Sequence, residues 1–318
     1  MIVVTGGAGF IGSNVVKALC DAGEDVAVVD YLGSDDKWKN LRDCAIWNFW
    51  QPEDITCALT SGATAVIHLG AISSTTATNA DEVMKTNFTL SCYIWEWCAH
   101  HNVPLIYASS AATYGNGSQG FDDRAELSTL RPLNLYGWSK HLFDQKVAAC
   151  VAKGRARPPQ WAGLKFFNVY GPRETHKGSM ASVCHTQYHA LKQGAGVRLF
   201  RSTKPGLGDG EQSRDFVWVG DCVNVIQWLL ANSNTSGLFN VGTGVARSFN
   251  NVAHALFESM GLPRDISYID MPQELREKYQ NHTQACMQKL RSAGYSAPMC
   301  SIEDGIRQYV EWFEENST

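Results

Sequence analysis

The sequence predicts an α/β protein: a doubly wound parallel sheet (Rossmann-like) with a smaller α/β lobe toward the C-terminus. Three observations predict it. The opening apolar segment runs directly into a glycine-rich turn and then a helical pattern. Short apolar strands alternate with amphipathic stretches as far as about residue 170. From Gly171 onward that regular order changes. Residues 1–170 are read as the core, and residues 171–318 mainly as the lobe with some segments returning to the core.

Met1 to Thr5 reads as a buried strand, followed by Gly6-Gly7-Ala8-Gly9-Phe10-Ile11-Gly12 and a helical run from Asn14 to Leu19. Strand, glycine turn and helix in that order give a dinucleotide-binding expectation. Glycine leaves no Cβ between backbone and pyrophosphate, which then sits at the positive helix N-terminus. Both a G-x-G-x-x-G pattern (Gly7, Gly9, Gly12) and a G-x-x-G-x-x-G pattern (Gly6, Gly9, Gly12) fit. Asp25 to Asp30, Ala65 to Leu69 and Val103 to Ser109 read as successive parallel strands, with a helix-length segment from Asp81 to His100. Asp30 ends the second strand, where a carboxylate can bind the adenosine ribose hydroxyls. Leu164 to Tyr170 is a further strand. In the lobe, segments near Leu199, Phe216 and Ile266 lie between short helices.

Tyr136 and Lys140 carry the chemistry. Oxidising an alcohol requires removal of a hydroxyl proton as hydride leaves the carbon. A free tyrosine, with a pKa of about 10, is a poor base at pH 7. A lysine ammonium at i+4 lies on the same helix face and favours the phenolate. Bringing that pKa near 7 needs ~3 units, or ~4 kcal/mol. Ser110, in Tyr107-Ala108-Ser109-Ser110, follows an apolar run and is the candidate donor to the substrate oxygen beside Tyr136.

The composition narrows the possibilities. With 318 residues and 44% hydrophobic content the chain can bury a large core. A net charge of -4 gives no basic face for nucleic acid. No uncharged apolar stretch reaches membrane-spanning length. The opening strand leaves no room for a charged leader, so no signal peptide and a cytoplasmic location are expected. Ten cysteines without C-x-x-C spacing read as reduced thiols, and no metal is expected.

Tyr-x-x-x-Lys, the glycine turn and the strand-end serine together resemble the extended short-chain dehydrogenase/reductase superfamily, which acts largely on nucleotide-linked sugars. Lys165-Phe166-Phe167-Asn168-Val169-Tyr170-Gly171-Pro172-Arg173 fits its general pattern. The continuation Glu174-Thr175-His176-Lys177-Gly178-Ser179-Met180-Ala181-Ser182 is more particular and is similar to the ADP-glyceromanno-heptose 6-epimerases. So are Ser73-Ser74-Thr75-Thr76, Arg214-Asp215-Phe216-Val217, and Tyr279-Gln280 with Thr283-Gln284. The similarity runs from Met1 to about Trp312.

The resemblance implies a nicotinamide dinucleotide held by Gly6, Gly9, Phe10, Ile11, Gly12, Asp30, Tyr31 and Lys37. It adds Leu69, Gly70, Ala71, Ile72, Ser73, Asn87, Lys140, Val169 and Lys177 to that set. NADP is expected first and NAD second: Lys37 matches a lysine that offsets the acid at Asp30, whereas Pro52 stands where a second would be. The nucleotide-sugar is assigned to Asn168, Ser179, Phe200, Arg201, Ser202, Thr203, Arg214 and Tyr279. Arg214 suits a bidentate diphosphate clamp, with an ion pair to Asp215 or Glu211 as the alternative. Thr186 stands where the family has a histidine, and His185 beside it could substitute.

The implied chemistry is transient oxidation and reduction at C6 of an ADP-linked heptose, with Tyr136 serving one epimer, Lys177 the other, and Lys140 binding ribose. Ala111 and Ala112 replace the Asp-Glu pair of sugar dehydratases, which disfavours dehydration. A hexose 4-epimerase and a non-catalytic dinucleotide sensor are the remaining alternatives. The family further implies a homo-oligomer, a pentamer, whose product feeds lipopolysaccharide inner-core assembly.

Overall fold

The structure, a computed structural model, describes residues 1–273 and 279–316. β1 (Ile2–Thr5) is wholly buried and feeds the glycine turn at the head of α1 (Phe10–Asp21). There follow β2 (Val26–Val29), β3 (Asn48–Trp50), α2 (Ile55–Thr60) and β4 (Ala65–His68). A continuous helical stretch then runs through α3 (Ala80–Val83), a π-helical turn (Met84–Thr89) and α4 (Leu90–His101). β5 (Leu105–Ser110) leads to α5 (Leu135–Ala152), the helix that carries Tyr136 and Lys140. β6 (Trp161–Phe166) and β7 (Asn168–Tyr170) close the first half.

The remaining elements are α6 (Val183–Lys192), β8 (Val197–Phe200), β9 (Ser213–Arg214), β10 (Phe216–Trp218) and α7 (Val219–Ala231). They are followed by β11 (Gly237–Val241), β12 (Arg247–Ser248), α8 (Phe249–Met260) and β13 (Ile266–Ile269). α9 (Gln288–Ser292) and α10 (Ile302–Glu315) end the described chain.

Among the described residues seven parallel strands form one sheet in the order β11-β6-β5-β4-β1-β2-β3. Valine and isoleucine dominate the central strands because both sheet faces are covered. On one face α1 and α7 bury Val15, Val16, Leu19, Val225 and Ile226. On the other, α2, α4 and α5 bury Leu59, Ile94, Trp95, Phe143 and Val147. A third cluster belongs to the lobe, where α6, α8 and α10 enclose Tyr188, Leu256, Ile306 and Phe313.

The expected single strand Leu164 to Tyr170 is two. Phe167 separates them, its N–H bonded to Val241 O, and β7 leaves the main sheet to pair with β10. That departure carries Asn168 and Val169 away from the sheet and over the C-terminal strand edges, where ligands of this architecture bind. β3 and β11 lie outside the expected strands. β11 comes from late in the chain, yet it completes the main sheet beside β6.

Candidate active site

A cavity of about 720 Å³ lies along the C-terminal strand edges. Gly6, Gly9, Phe10, Ile11 and Gly12 line one end, and a Cβ at Gly12 would collide with the Gly6 carbonyl. Gly7 does not line the cavity and faces Val28 on β2, so the Gly6, Gly9, Gly12 pattern is the one that shapes the cradle. Backbone bare of side chains at the N-terminus of α1 fits a pyrophosphate. The Asp30 carboxylate fixes the turn by accepting from Ala8 N at 2.9 Å, and it pairs with Lys37 Nζ at 2.7 Å. Both residues line the cavity, as do Leu69, Gly70, Ala71, Ile72 and Ser73.

Ser110, Tyr136 and Lys140 line the middle of the same cavity. Asn134 starts α5 by accepting from Gly137 N at 2.8 Å. Gly137 permits the helix to lie against the turn after β5, for a Cβ there would come within 2.8 Å of Ala112 O. This close approach brings Tyr136 to Ser110, whose side chain hydrogen-bonds the phenol. Behind them Asp144 accepts from Ser109 Oγ at 2.7 Å and Tyr107 OH at 3.2 Å, and pairs with Lys165 Nζ at 2.6 Å. Burial pushes the Tyr136 phenol up, opposed by the Ser110 bond, and pushes Lys140 down to about 8 against the pull of Asp144. The expectation of a phenolate favoured near pH 7 is corrected here. Loss of water, with the Asp144 charge adding, outweighs the Ser110 bond, so the phenol rises above its ordinary value while the ammonium falls.

Asn168, Val169, His176 and Lys177 form the facing wall. Lys177 lies on the turn Thr175–Met180, with Nζ 5.1 Å from the centre of the Phe10 ring. Burial lowers its pKa, and Glu174 opposes that shift. The His176 ring bonds Asn40 Nδ2 at 3.0 Å, which in turn reaches Ala8 O at 3.0 Å. Arg173 clamps the same loop to the core through Asp43 at 2.7 Å and Asn40 O at 2.5 Å.

Several expected contacts lie elsewhere. Asn87 is fully buried in the π-helical turn and does not line the cavity. Its amide accepts from Ile72 N at 2.8 Å and donates to Ser139 Oγ at 3.0 Å, so it ties the cofactor-side loop to α5. Tyr31 is exposed and bonds Glu53. Ser179 is exposed beside the wall formed by Met180 to Val183. His185 is buried against Tyr309, at 3.1 Å, and Phe313, and burial lowers it to about 4. Thr186 is exposed and bonds Ser182 O and Val183 O, so neither residue reaches the cavity. Arg201, Ser202 and Thr203 turn away into an exposed loop, where Arg201 pairs with Asp270 and Ser202 N donates to Asp209.

Arg214 is buried at the lobe end and, like Phe200 and Tyr279, does not line the cavity. Its guanidinium lies 5.0 Å from the Tyr279 ring centre and 5.7 Å from that of Phe249, which lines the cavity. Phe200 packs edge-on against Tyr279. The ion-pair alternative for Arg214 fails among the described residues. Asp215 is taken by Thr243, Gly244 and Ala285, and Glu211 by Asn250. Asp144, Glu174, His176 and Phe249 were not expected at the site. Asp144 could have been found, since it continues the i, i+4 stripe of Tyr136 and Lys140.

The cysteines and histidines form no group of three or more that could hold a metal among the described residues. One histidine pair carries i, i+4 spacing on α6. His185 and His189 meet with ring centres 4.5 Å apart, packed on Phe313. No helix among the described residues is long and apolar enough to cross a membrane.

The geometry can be set beside known proteins. The model of the NAD dependent epimerase/dehydratase family matches residues 2–242. The ADP-L-glycero-D-manno-heptose-6-epimerase of Nitratidesulfovibrio vulgaris is 46% identical, covering 98% of each chain. The crystal structure of the Helicobacter pylori ADP-L-glycero-D-manno-heptose-6-epimerase aligns over 98% of this chain and 96% of its own, at 29% identity and a TM-score of 0.82. The Thermus thermophilus UDP-glucose 4-epimerase, solved in complex with NAD, aligns over 99% of both chains at 28% identity and a TM-score of 0.80. With this match over most of its length, the chain belongs to the NAD dependent epimerase/dehydratase family.

Proposed function

We propose that the protein interconverts ADP-D-glycero-β-D-manno-heptose and ADP-L-glycero-β-D-manno-heptose at C6 by transient oxidation and reduction. The carrying observation is that Lys177 shares one cavity with Ser110, Tyr136 and Lys140. Inverting a hydroxyl-bearing carbon exposes its oxygen to two sides of the site in turn, and each side needs its own acid–base group. When bound, a nicotinamide dinucleotide accepts the hydride and returns it. Tyr136 takes the hydroxyl proton of one epimer, with Ser110 orienting the oxygen and Lys140 holding the ribose. Lys177, lowered by burial, does the same for the other epimer. Arg214 clamps the diphosphate and leaves the heptose end free to turn.

NADP is the preferred dinucleotide. Asp30 would repel a 2′-phosphate, but Lys37 offsets it at 2.7 Å and lines the cavity as a ready phosphate partner. Relatives of this fold solved with NAD keep NAD as the alternative. We take it to work as a cytoplasmic homo-oligomer, a pentamer as the family resemblance implies, whose product feeds lipopolysaccharide inner-core assembly. The test is to incubate each ADP-heptose epimer with protein and NADP and follow it by proton NMR. Both should reach the same mixture without net NADPH. Turnover of UDP-glucose instead would favour a hexose 4-epimerase, and cofactor binding without turnover would favour a sensor.

A further inference from the structure

The turn that carries Lys177 is closed at its base by a carboxylate. Glu174 is wholly buried and does not line the cavity. Its Oε2 accepts from Ser182 N at 2.6 Å, beyond the far end of the turn. Its Oε1 accepts from Ser182 Oγ at 2.6 Å, from Tyr309 OH of α10 at 3.1 Å and from Gly171 N at 3.4 Å. Its own carbonyl accepts from Lys177 N at 3.0 Å. One side chain therefore joins both ends of the 171–182 segment, fastens it to the last helix, and leaves Lys177 facing the cavity. The opposite wall has its own buried carboxylate. Asp144 holds Ser109, Tyr107 and Lys165 behind Ser110 and Tyr136, and the two clusters share no residue.

We infer that Glu174 is a positioning residue for Lys177 alone, so its loss disables one half-reaction and spares the one that uses Tyr136. Two acid–base groups that stand beside separate buried carboxylate clusters can be impaired one at a time. The inference rests on Lys177 being the second acid–base group. Glu174→Gln is nearly isosteric. However, the amide keeps one acceptor oxygen where the carboxylate had two, and its NH₂ faces donors.

In the experiment, holoenzyme with oxidised cofactor is mixed with each ADP-heptose epimer separately, and the reduced cofactor formed in a single turnover is measured. Retained cofactor and thermal stability are recorded for each variant. Lys177→Met supplies the reference by identifying the epimer whose oxidation is lost. Glu174→Gln should slow oxidation of that same epimer on the order of 10- to 100-fold and leave the other within about two-fold, the scale expected for misplacing a reacting group. Equal slowing of both epimers, or none of either, would overturn the inference. If Glu174→Gln does not fold, Tyr309→Phe removes one donor and should show the same asymmetry on a smaller scale; symmetric kinetics there would also overturn it. If Lys177→Met oxidises both epimers normally, the reading of Lys177 itself fails.

Discussion

The Lys165 ammonium stands 2.6 Å from Asp144 Oδ2, and the two side chains are 1% and 0% exposed. This pair joins β6 to α5 directly behind Ser110 and Tyr136. Two charges out of water are tolerable together, whereas one left alone is costly. Asp144→Asn or Lys165→Met should each cost about 3–5 kcal/mol, with Asp144→Leu/Lys165→Met less destabilised than either single change. Chemical denaturation of the three variants checks this.

Tyr136 and Lys177 face one cavity from different elements, so neither can replace the other. Tyr136→Phe and Lys177→Met should each lower epimerisation by about 10²- to 10⁴-fold, the usual range for losing a positioned acid or base. Both should still retain cofactor. Full activity in either variant would remove that residue from the mechanism.

Much of this was legible because it is local. A strand feeding a glycine turn, or Tyr136 and Lys140 one turn apart, needs only neighbouring residues to be read. What escaped depends on distant contacts. β11 joins the sheet from residue 237 onward, and nothing near Gly237 announces its partner. Asn87 serves the cofactor loop through Ile72 and Ser139, remote in sequence or on another helix. His185 sits one residue from an aligned position, but on a helix one residue is a turn of about 100°, and that turn puts its ring in the core against Tyr309 and Phe313 while Thr186 is exposed. The lobe's exposed loop at Arg201 to Thr203 follows no periodic pattern, and its outward course was not readable.

Lys37 should govern cofactor choice. Lys37→Ala should weaken NADP binding about 10-fold, the scale of one charged hydrogen bond, and leave NAD nearly unchanged. Equilibrium titration with both dinucleotides measures it. Equal loss for both would make Lys37 a support for Asp30 alone.

Arg214 has a buried guanidinium between two aromatic rings and no carboxylate partner among the described residues. Arg214→Ala should weaken binding of ADP to the holoenzyme about 10- to 100-fold. Calorimetric titration checks it, and unchanged affinity would move the diphosphate elsewhere.

His68 predicts a stability loss in mild acid. It is buried between Thr5 Oγ1 at 2.6 Å and Ser91 Oγ at 2.8 Å, and burial, with Lys140 adding, lowers it to about 3. The unfolded chain binds its proton near pH 6.5 and the folded chain does not, so stability falls as pH drops below that value. Between pH 6.5 and 5 this amounts to about 2 kcal/mol. His185, lowered to about 4, acts in the same direction. Denaturation at several pH values should show a shallower slope for His68→Gln than for the wild type.

In the proposed reaction hydride leaves C6 and returns to the same carbon. The most direct measurement is proton NMR of ADP-D-glycero-β-D-manno-heptose incubated with the protein and NADP in D₂O. The L-glycero epimer should form with protium retained at C6 and no net NADPH. Deuterium at C6, or an unchanged substrate in the presence of protein that binds NADP, would contradict it.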